Sequence, residues 1–220
     1  MGLTPEKGKE LLSAWESYFY PGTQTLINKY GITDAEELKN KEAEISFEKL
    51  VELYENPIVG DFDSEHLRNI HYYIFSDLYE WAGEYRYVDM QKQTGFTKWE
   101  NIHEYLSNEL KLMHEELKNI HSIHDLAIFL STYYVQLMAI HPFREGNGRS
   151  CREFLRELVE EKSKEMPFGP VELDWTKFNG DVVLDNIQLA LAFRSAIDNE
   201  FLKAIVKVTP EETLNSNKKL

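Results

Sequence analysis

The reading of this chain turns on one stretch, His141-Pro142-Phe143-Arg144-Glu145-Gly146-Asn147-Gly148-Arg149-Ser150-Cys151-Arg152. Pro142 cannot continue a helix and disfavours helical geometry in the residue before it, so His141 falls at a helix-to-loop edge. A neutral imidazole there can accept a proton near pH 7. Phe143, apolar among charged neighbours, anchors the loop into the core. Glu145 offers hard carboxylate oxygens of the kind that hold Mg²⁺ beside phosphates. Gly146 and Gly148 let the backbone approach an anion closely. The next helix starts there, so its free N–H groups and dipole face the same anion. Asn147 tolerates positive φ and can donate a side-chain hydrogen bond. Arg149 and Arg152 are three apart, hence neighbours on one helical face, and both guanidinium groups can fork onto phosphate oxygens. One loop thus combines a base, a metal carboxylate, an anion nest and two arginines, the equipment of phosphoryl or nucleotidyl transfer. No GK[ST] follows the glycines, so the loop is not a Walker A motif.

Working outward, residues 125–140 are apolar nearly all round, which predicts a buried central helix. A second helix is expected from about 149 to 164. Upstream, helices are predicted over residues 5–18, from a capping box at Thr33 to about 53, from Ser64 to about 79, and over 99–117. Residues 83–98 carry strand-favouring Tyr85, Tyr87 and Phe96 around a Thr94-Gly95 turn, which predicts a short β-hairpin or flap. Residues 167–170 read as a loop, 175–206 as mostly helical, and 209–220 as a frayed tail. The expected fold is all-α, a helical bundle with one short β-hairpin.

The chain has 220 residues, 42% hydrophobic and 13% aromatic, enough to bury a real core in a single domain. Net charge is −14, with a pI near 5.0. Such a surface repels DNA and RNA. The basic cluster Arg144, Arg149, Arg152 and Arg156 suits a phosphate pocket better than a duplex footprint. The N-terminus lacks the apolar core of a signal peptide, and residues 126–140 read as too short and too polar to span a bilayer. A lone cysteine, Cys151, excludes an internal disulfide and fits a reducing, cytoplasmic setting. Cys151 itself is expected to pack. His114, His121 and His124 lack zinc-site spacing and read as solvated or capping residues. The charge run 157–164 reads as a solvated face.

The stretch 141–152 resembles the Fic signature HPFx[D/E]GNGRxxR at all nine specified positions. Leu78-Tyr79-Glu80-Trp81-Ala82-Gly83 is similar to the Fic segment leading into the flap. Tyr20-Pro21-Gly22-Thr23 resembles the opening of bacterial Fic toxins. The resemblance implies a single Fic domain with its core at about 65–200 and a helical extension over 1–64. It implies a protein adenylyltransferase that moves AMP from ATP onto a Tyr, Thr or Ser hydroxyl of a target protein. In that scheme His141 is the general base and Glu145 holds Mg²⁺. Gly146, Asn147 and Gly148 cradle the phosphates, with Arg149 on the β-phosphate and Arg152 on the γ-phosphate. A flap including Gln93, Thr94, Gly95, Phe96, Thr97 and Lys98 docks the target by strand addition. Many Fic proteins carry an inhibitory [S/T]xxxE[G/N] helix whose glutamate pairs with the second arginine. Glu37 is followed by Leu38, and Glu200 is one residue out of register, so neither completes the pattern. The resemblance therefore implies a toxin restrained by a separate antitoxin protein. Alternatives are transfer of another phosphate-containing group or removal of AMP by the same scaffold, and a non-catalytic helical interaction module.

Overall fold

The computed structural model describes residues 5–91, 95–181 and 194–208. Its helices are α1 (Pro5–Glu16), α2 (Ala35–Glu55), α3 (Ser64–Phe75), α4 (Ile102–Leu117), α5 (Ile123–Ile140), α6 (Asn147–Lys162) and α7 (Arg194–Ala204). One small antiparallel sheet pairs β1 (Val171–Leu173) with β2 (Ile205–Lys207), Glu172 lying opposite Val206. The mostly helical architecture matches the expectation. The tail 209–220 lies outside the described residues.

Local chemistry moves several helix ends by a few residues. The cap of α2 is Asp34, whose carboxylate accepts the Glu37 N–H, while the carbonyl of the expected cap Thr33 accepts from the Thr25 hydroxyl. Asp63, not Ser64, caps α3 by accepting from the N–H groups of Glu65 and His66. That helix stops at Phe75 because the Leu78 and Tyr79 amides both turn back onto the Phe75 carbonyl. At the start of α5, Ser122 Oγ accepts the Asp125 N–H (3.1 Å) and Asp125 accepts the His121 N–H (3.2 Å), a reciprocal cap. This begins α5 at Ile123 rather than 125. With 18 residues, α5 is long and apolar enough to cross a membrane by length and composition, against the expectation. Yet 56% of that span is buried, as in a core helix.

The chain divides into two compact units. The first comprises Met1–Leu106 and Ile140–Ser150, the second Ser107–Ala139 and Cys151–Leu220. In the first, Leu53, Leu67, Ile70, Ile74, Phe75 and Phe143 are fully buried. In the second, Leu126, Leu130, Leu137, Phe154, Leu158 and Phe201 are equally buried, the apolar face of α5 being core as expected. Of residues 175–206, expected to be mostly helical, 182–193 lie outside the described residues, and α7 is helical while two other pieces depart. Trp175–Lys177 is a 3₁₀ turn, and β-branched Ile205 and Val206 leave α7 as strand. Ser163 Oγ holds the start of β1, donating to the Val171 carbonyl and accepting its N–H, both at 3.0 Å.

The run 157–164 is not simply solvated, because Glu157 is buried. So are Arg156 and Glu153, and the Arg156 guanidinium bonds both oxygens of Glu153 as well as Glu160 (2.5 Å). Burial pushes the Glu153 carboxyl up, and the guanidinium opposes that. Breaking such a pair leaves charge in a low dielectric at a cost of about 3–5 kcal/mol. Arg156→Met is therefore expected to lower unfolding free energy by about that amount, measured by urea melts at pH 7.

Candidate active site

The loop between α5 and α6 is closed by Asn147. Its Oδ1 accepts the Phe143 N–H and its Nδ2 donates to the Phe143 carbonyl, both at 2.9 Å. This is tighter work than the open, positive-φ donor expected of it: Asn147 is the first residue of α6, and the left-handed residues are His141 (φ 52°) and Gly146 (φ 80°). For a non-glycine residue, such a backbone is sparsely populated and costs of order 1–3 kcal/mol unless its surroundings hold it. His141 is buried, with its ring stacked on Phe96 at 3.9 Å and 6°. The structure therefore brings the flap residue Phe96 onto the expected base.

Two features position Glu145 and Gly146. His71, absent from the sequence-based site, is fully buried and stacks on Phe143 at 3.8 Å. Its Nδ1 accepts the Gly83 N–H (2.8 Å), so Nε2 carries the proton and donates to the Glu145 carbonyl (3.0 Å). Burial lowers its pKa to about 3. A Cβ on Gly146 would meet the Phe75 ring at 2.3 Å, so this glycine is required by contact as well as by φ. The Glu145 carboxylate is about half exposed; one oxygen accepts the Gly146 N–H at 2.9 Å and lies 3.8 Å from Arg149 Nη2.

The four arginines of the basic cluster separate. Arg144 is buried with its guanidinium over the rings of Trp15 (4.6 Å), Phe19 (5.0 Å) and Tyr18 (5.4 Å), a structural anchor. Arg156 belongs to the buried pair described above. Arg149 lies over Phe75 (4.7 Å), bonds Ser46 Oγ (3.0 Å) and pairs with Glu42, which also accepts from the Tyr79 hydroxyl. Glu42 and Ser46 lie on α2 and escaped the sequence analysis; only their spacing of four, one helical turn, hinted at a shared face. Arg152 is described with the second unit, where its Nη1 is 3.4 Å from the Tyr134 hydroxyl. Gly148 continues the first turn of α6. Cys151 is fully buried and burial pushes its thiol up to about 12, in keeping with packing.

The flap is only partly described. Gln91 and Gly95 form an antiparallel bridge, and the Phe96 N–H donates to the Met90 carbonyl (3.2 Å). A regular hairpin is reduced to that bridge among the described residues, and Gln93 and Thr94 lie outside them. Gly95, Phe96, Thr97 and Lys98 run in extended or irregular backbone before the 3₁₀ turn Trp99–Asn101. Among the described residues no group of three or more His, Cys, Asp or Glu side chains could hold a metal.

Two outcomes follow from this packing. Because the folded state keeps His71 neutral down to about pH 3 while an unfolded histidine titrates near 6.5, the stability His71 contributes is complete above about pH 6.5. It is lost as pH falls toward 3, at up to about 1.4 kcal/mol per pH unit. Urea melts from pH 7 to pH 4 should show this slope in the unmodified chain and a shallower one in His71→Asn. Gly146→Ala combines overpacking against Phe75 with a left-handed alanine. It is expected to cost about 2–4 kcal/mol in the same melts.

A Fic/DOC family model matches residues 61–159. The chain is 33% identical over 160 residues to the protein adenylyltransferase VbhT of Bartonella schoenbuchensis, covering 71% of this chain but only 33% of VbhT. It thus spans about a third of that relative's length. It is also 33% identical over 172 residues to y4lH of Sinorhizobium fredii, described as a probable protein adenylyltransferase, covering 76% of this chain and 83% of y4lH. In fold it superposes on the crystal structure of BepC from Bartonella tribocorum, which holds AMPPNP. The TM-score is 0.75 at 23% identity, with 88% of this chain and 98% of that chain covered. Signature, fold and a relative matched over most of its length agree: this chain belongs to the Fic/DOC family.

Proposed function

We propose that this chain is a protein adenylyltransferase that transfers AMP from ATP to a Tyr, Thr or Ser hydroxyl of a target protein. The observation that carries this is the single locked loop in which Asn147 sets His141, Glu145 and the N-terminus of α6 in one fixed arrangement. The relatives VbhT and y4lH carry adenylyltransferase names, and BepC was crystallised with an ATP analogue, which supports ATP as the co-substrate. His141 takes the proton of the acceptor hydroxyl. The hydroxyl oxygen attacks the α-phosphorus, the bond to the β-phosphate oxygen breaks, and pyrophosphate leaves. The Asn147 and Gly148 N–H groups at the start of α6 cradle the phosphates, with Gly146, whose N–H bonds the Glu145 carboxylate, forming the turn before them. Arg149 takes the β-phosphate, and Arg152 the γ-phosphate on the strength of the signature alone. The partly exposed Glu145 carboxylate would hold Mg²⁺, a hard cation suited to carboxylate oxygen. Such an ion supplies charge neutralisation on the phosphates. Residues Gln93 to Lys98 are the docking flap; its described part, Gly95 to Lys98, lies beside the Gln91–Gly95 bridge and suits strand addition by the target.

The domain reading is a single Fic domain over 1–220, with the α1 and α2 region as an extension that also supplies Glu42 and Ser46 to Arg149. A buried, unpaired Cys151 fits a reducing cytoplasm. Restraint by a separate antitoxin is favoured by the state of the in-chain candidates. The Glu200 carboxylate accepts the Asn179 N–H (3.0 Å) and pairs with Lys203 (2.5 Å), and Glu37 is exposed near the start of α2.

Incubation with Mg²⁺ and α- or γ-labelled ATP in a bacterial lysate tests the activity: protein labelling from the α-label alone is expected, and labelling from the γ-label alone would establish a kinase instead. His141→Ala is expected to lose about 10²–10⁴-fold in labelling rate while retaining ATP binding. Glu37→Gly and Glu200→Gly are each expected to leave labelling by the isolated chain unchanged; a strong rise in either would replace the antitoxin reading with inhibition in cis.

A further inference from the structure

Arg86 is fully buried, 1% exposed, and neither the signature nor the mechanism above uses it. A buried cation is ordinarily matched by a carboxylate. The hydrogen bonds of the Arg86 guanidinium instead all run to main-chain carbonyls. Nε donates to His141 (2.7 Å), Nη1 to Val88 (2.6 Å), and Nη2 to Thr97 and to Ile140 (3.2 Å). Its own N–H donates to the Pro142 carbonyl at 2.9 Å. Burial lowers the Arg86 pKa to about 10, opposed by the nearby Asp89 charge, which still leaves it fully charged at pH 7.

The carbonyls it gathers come from three places that matter to transfer. Ile140, His141 and Pro142 are the turn that presents the base; Val88 leads into the flap; Thr97 leaves it. His141 is also one of two non-glycine residues with positive φ among the described residues, the other being Phe62 (54°). A left-handed residue persists when its surroundings over-determine it. Arg86 does so by bonding the carbonyls on both sides of the His141 nitrogen and Cα, those of Ile140 and His141. The same guanidinium ties Thr97, next to Phe96, whose ring covers the imidazole. A rigid planar fork can satisfy four carbonyls in fixed directions; an ammonium is a single compact donor centre and cannot.

We infer that Arg86 is a positioning residue for group transfer: a buried clamp that holds the His141 backbone in its left-handed turn and registers the flap, through Val88 and Thr97, over the imidazole. It touches neither nucleotide nor acceptor and acts through His141 and Phe96; the inference rests on the assignment of His141 as the base. It sets geometry at the acceptor side of the site and leaves the phosphate side, Gly146 to Arg149, alone.

Arg86→Lys tests this, because it keeps the charge and loses the fork. Folding is checked by circular dichroism and a thermal melt. Affinity for AMPPNP is measured by calorimetry, and labelling of lysate protein from α-labelled ATP is measured at saturating nucleotide. Displacement of a reacting group by about 1 Å costs about 10²-fold in rate. Folded Arg86→Lys is therefore expected to bind AMPPNP within about two-fold of the unmodified chain and to label about 10²-fold more slowly. Labelling at the unmodified rate, or matched losses of affinity and rate, overturns the inference. Should the variant not fold, amide exchange in the unmodified chain decides. The Arg86 and Phe96 amides, bonded to Pro142 and Met90, are expected to open together as one unit. Independent opening overturns the clamp. Absence of α-label transfer by the unmodified chain counts against the proposed function and not against the clamp, on which the exchange rates still bear.

Discussion

One side chain closes the loop on which everything else in the site depends. Asn147 bonds both main-chain groups of Phe143, and so joins the first residue of α6 to the turn that follows α5. With that pair in place Phe143 is driven into the core, where it stacks on His71, and His71 in turn holds the Glu145 carbonyl and the Gly83 amide. A loop that would otherwise carry large conformational entropy thereby becomes a rigid presenting surface. Its strained residue, His141, is tolerated because the surrounding bonds leave it no alternative.

Charge is distributed by the same logic. Four arginines within thirteen residues could form one basic pocket, yet tertiary packing assigns them separate tasks. Arg144 is desolvated on three aromatic rings, Arg156 is paired in the buried face of α6, and Arg149 is held at the start of α6 by Glu42 and Ser46. Arg86, far from this cluster in sequence, is packed into the same unit as the loop. Its guanidinium answers carbonyls rather than carboxylates.

Much of this was legible in the residues themselves. Local rules place Pro142 at a helix end and Phe143 in the core, and the structure has both there, while α6 begins at Asn147, two residues before the expected start. Helix ends were read less well, because Thr33 or Asp34, and Asp63 or Ser64, are equally competent caps until the chain's path decides which side-chain oxygen faces the free amides. The sheet of β1 with β2 was missed for a related reason: three-residue strands have too little periodicity to be seen, and their pairing joins residues more than thirty apart. Glu157 was taken for a surface charge because nothing local distinguishes a glutamate on the wet side of a helix from one packed beside Arg156.

The sequence by itself therefore determined the helical class, the family signature and the identity of the loop that carries His141, Glu145 and Arg149. All of these are set by residue type and short-range spacing. Only the tertiary structure decided which side chains hold that loop. His71, Glu42, Ser46 and Arg86 lie 54 to 107 residues from the groups they hold between Ile140 and Arg149, and no local pattern marks them. The physical reason is that a hydrogen bond or a buried charge is defined by what folds against it. Residue spacing is fixed by the covalent chain, whereas the partners of Arg86 and Glu42 exist only once the chain has closed upon itself.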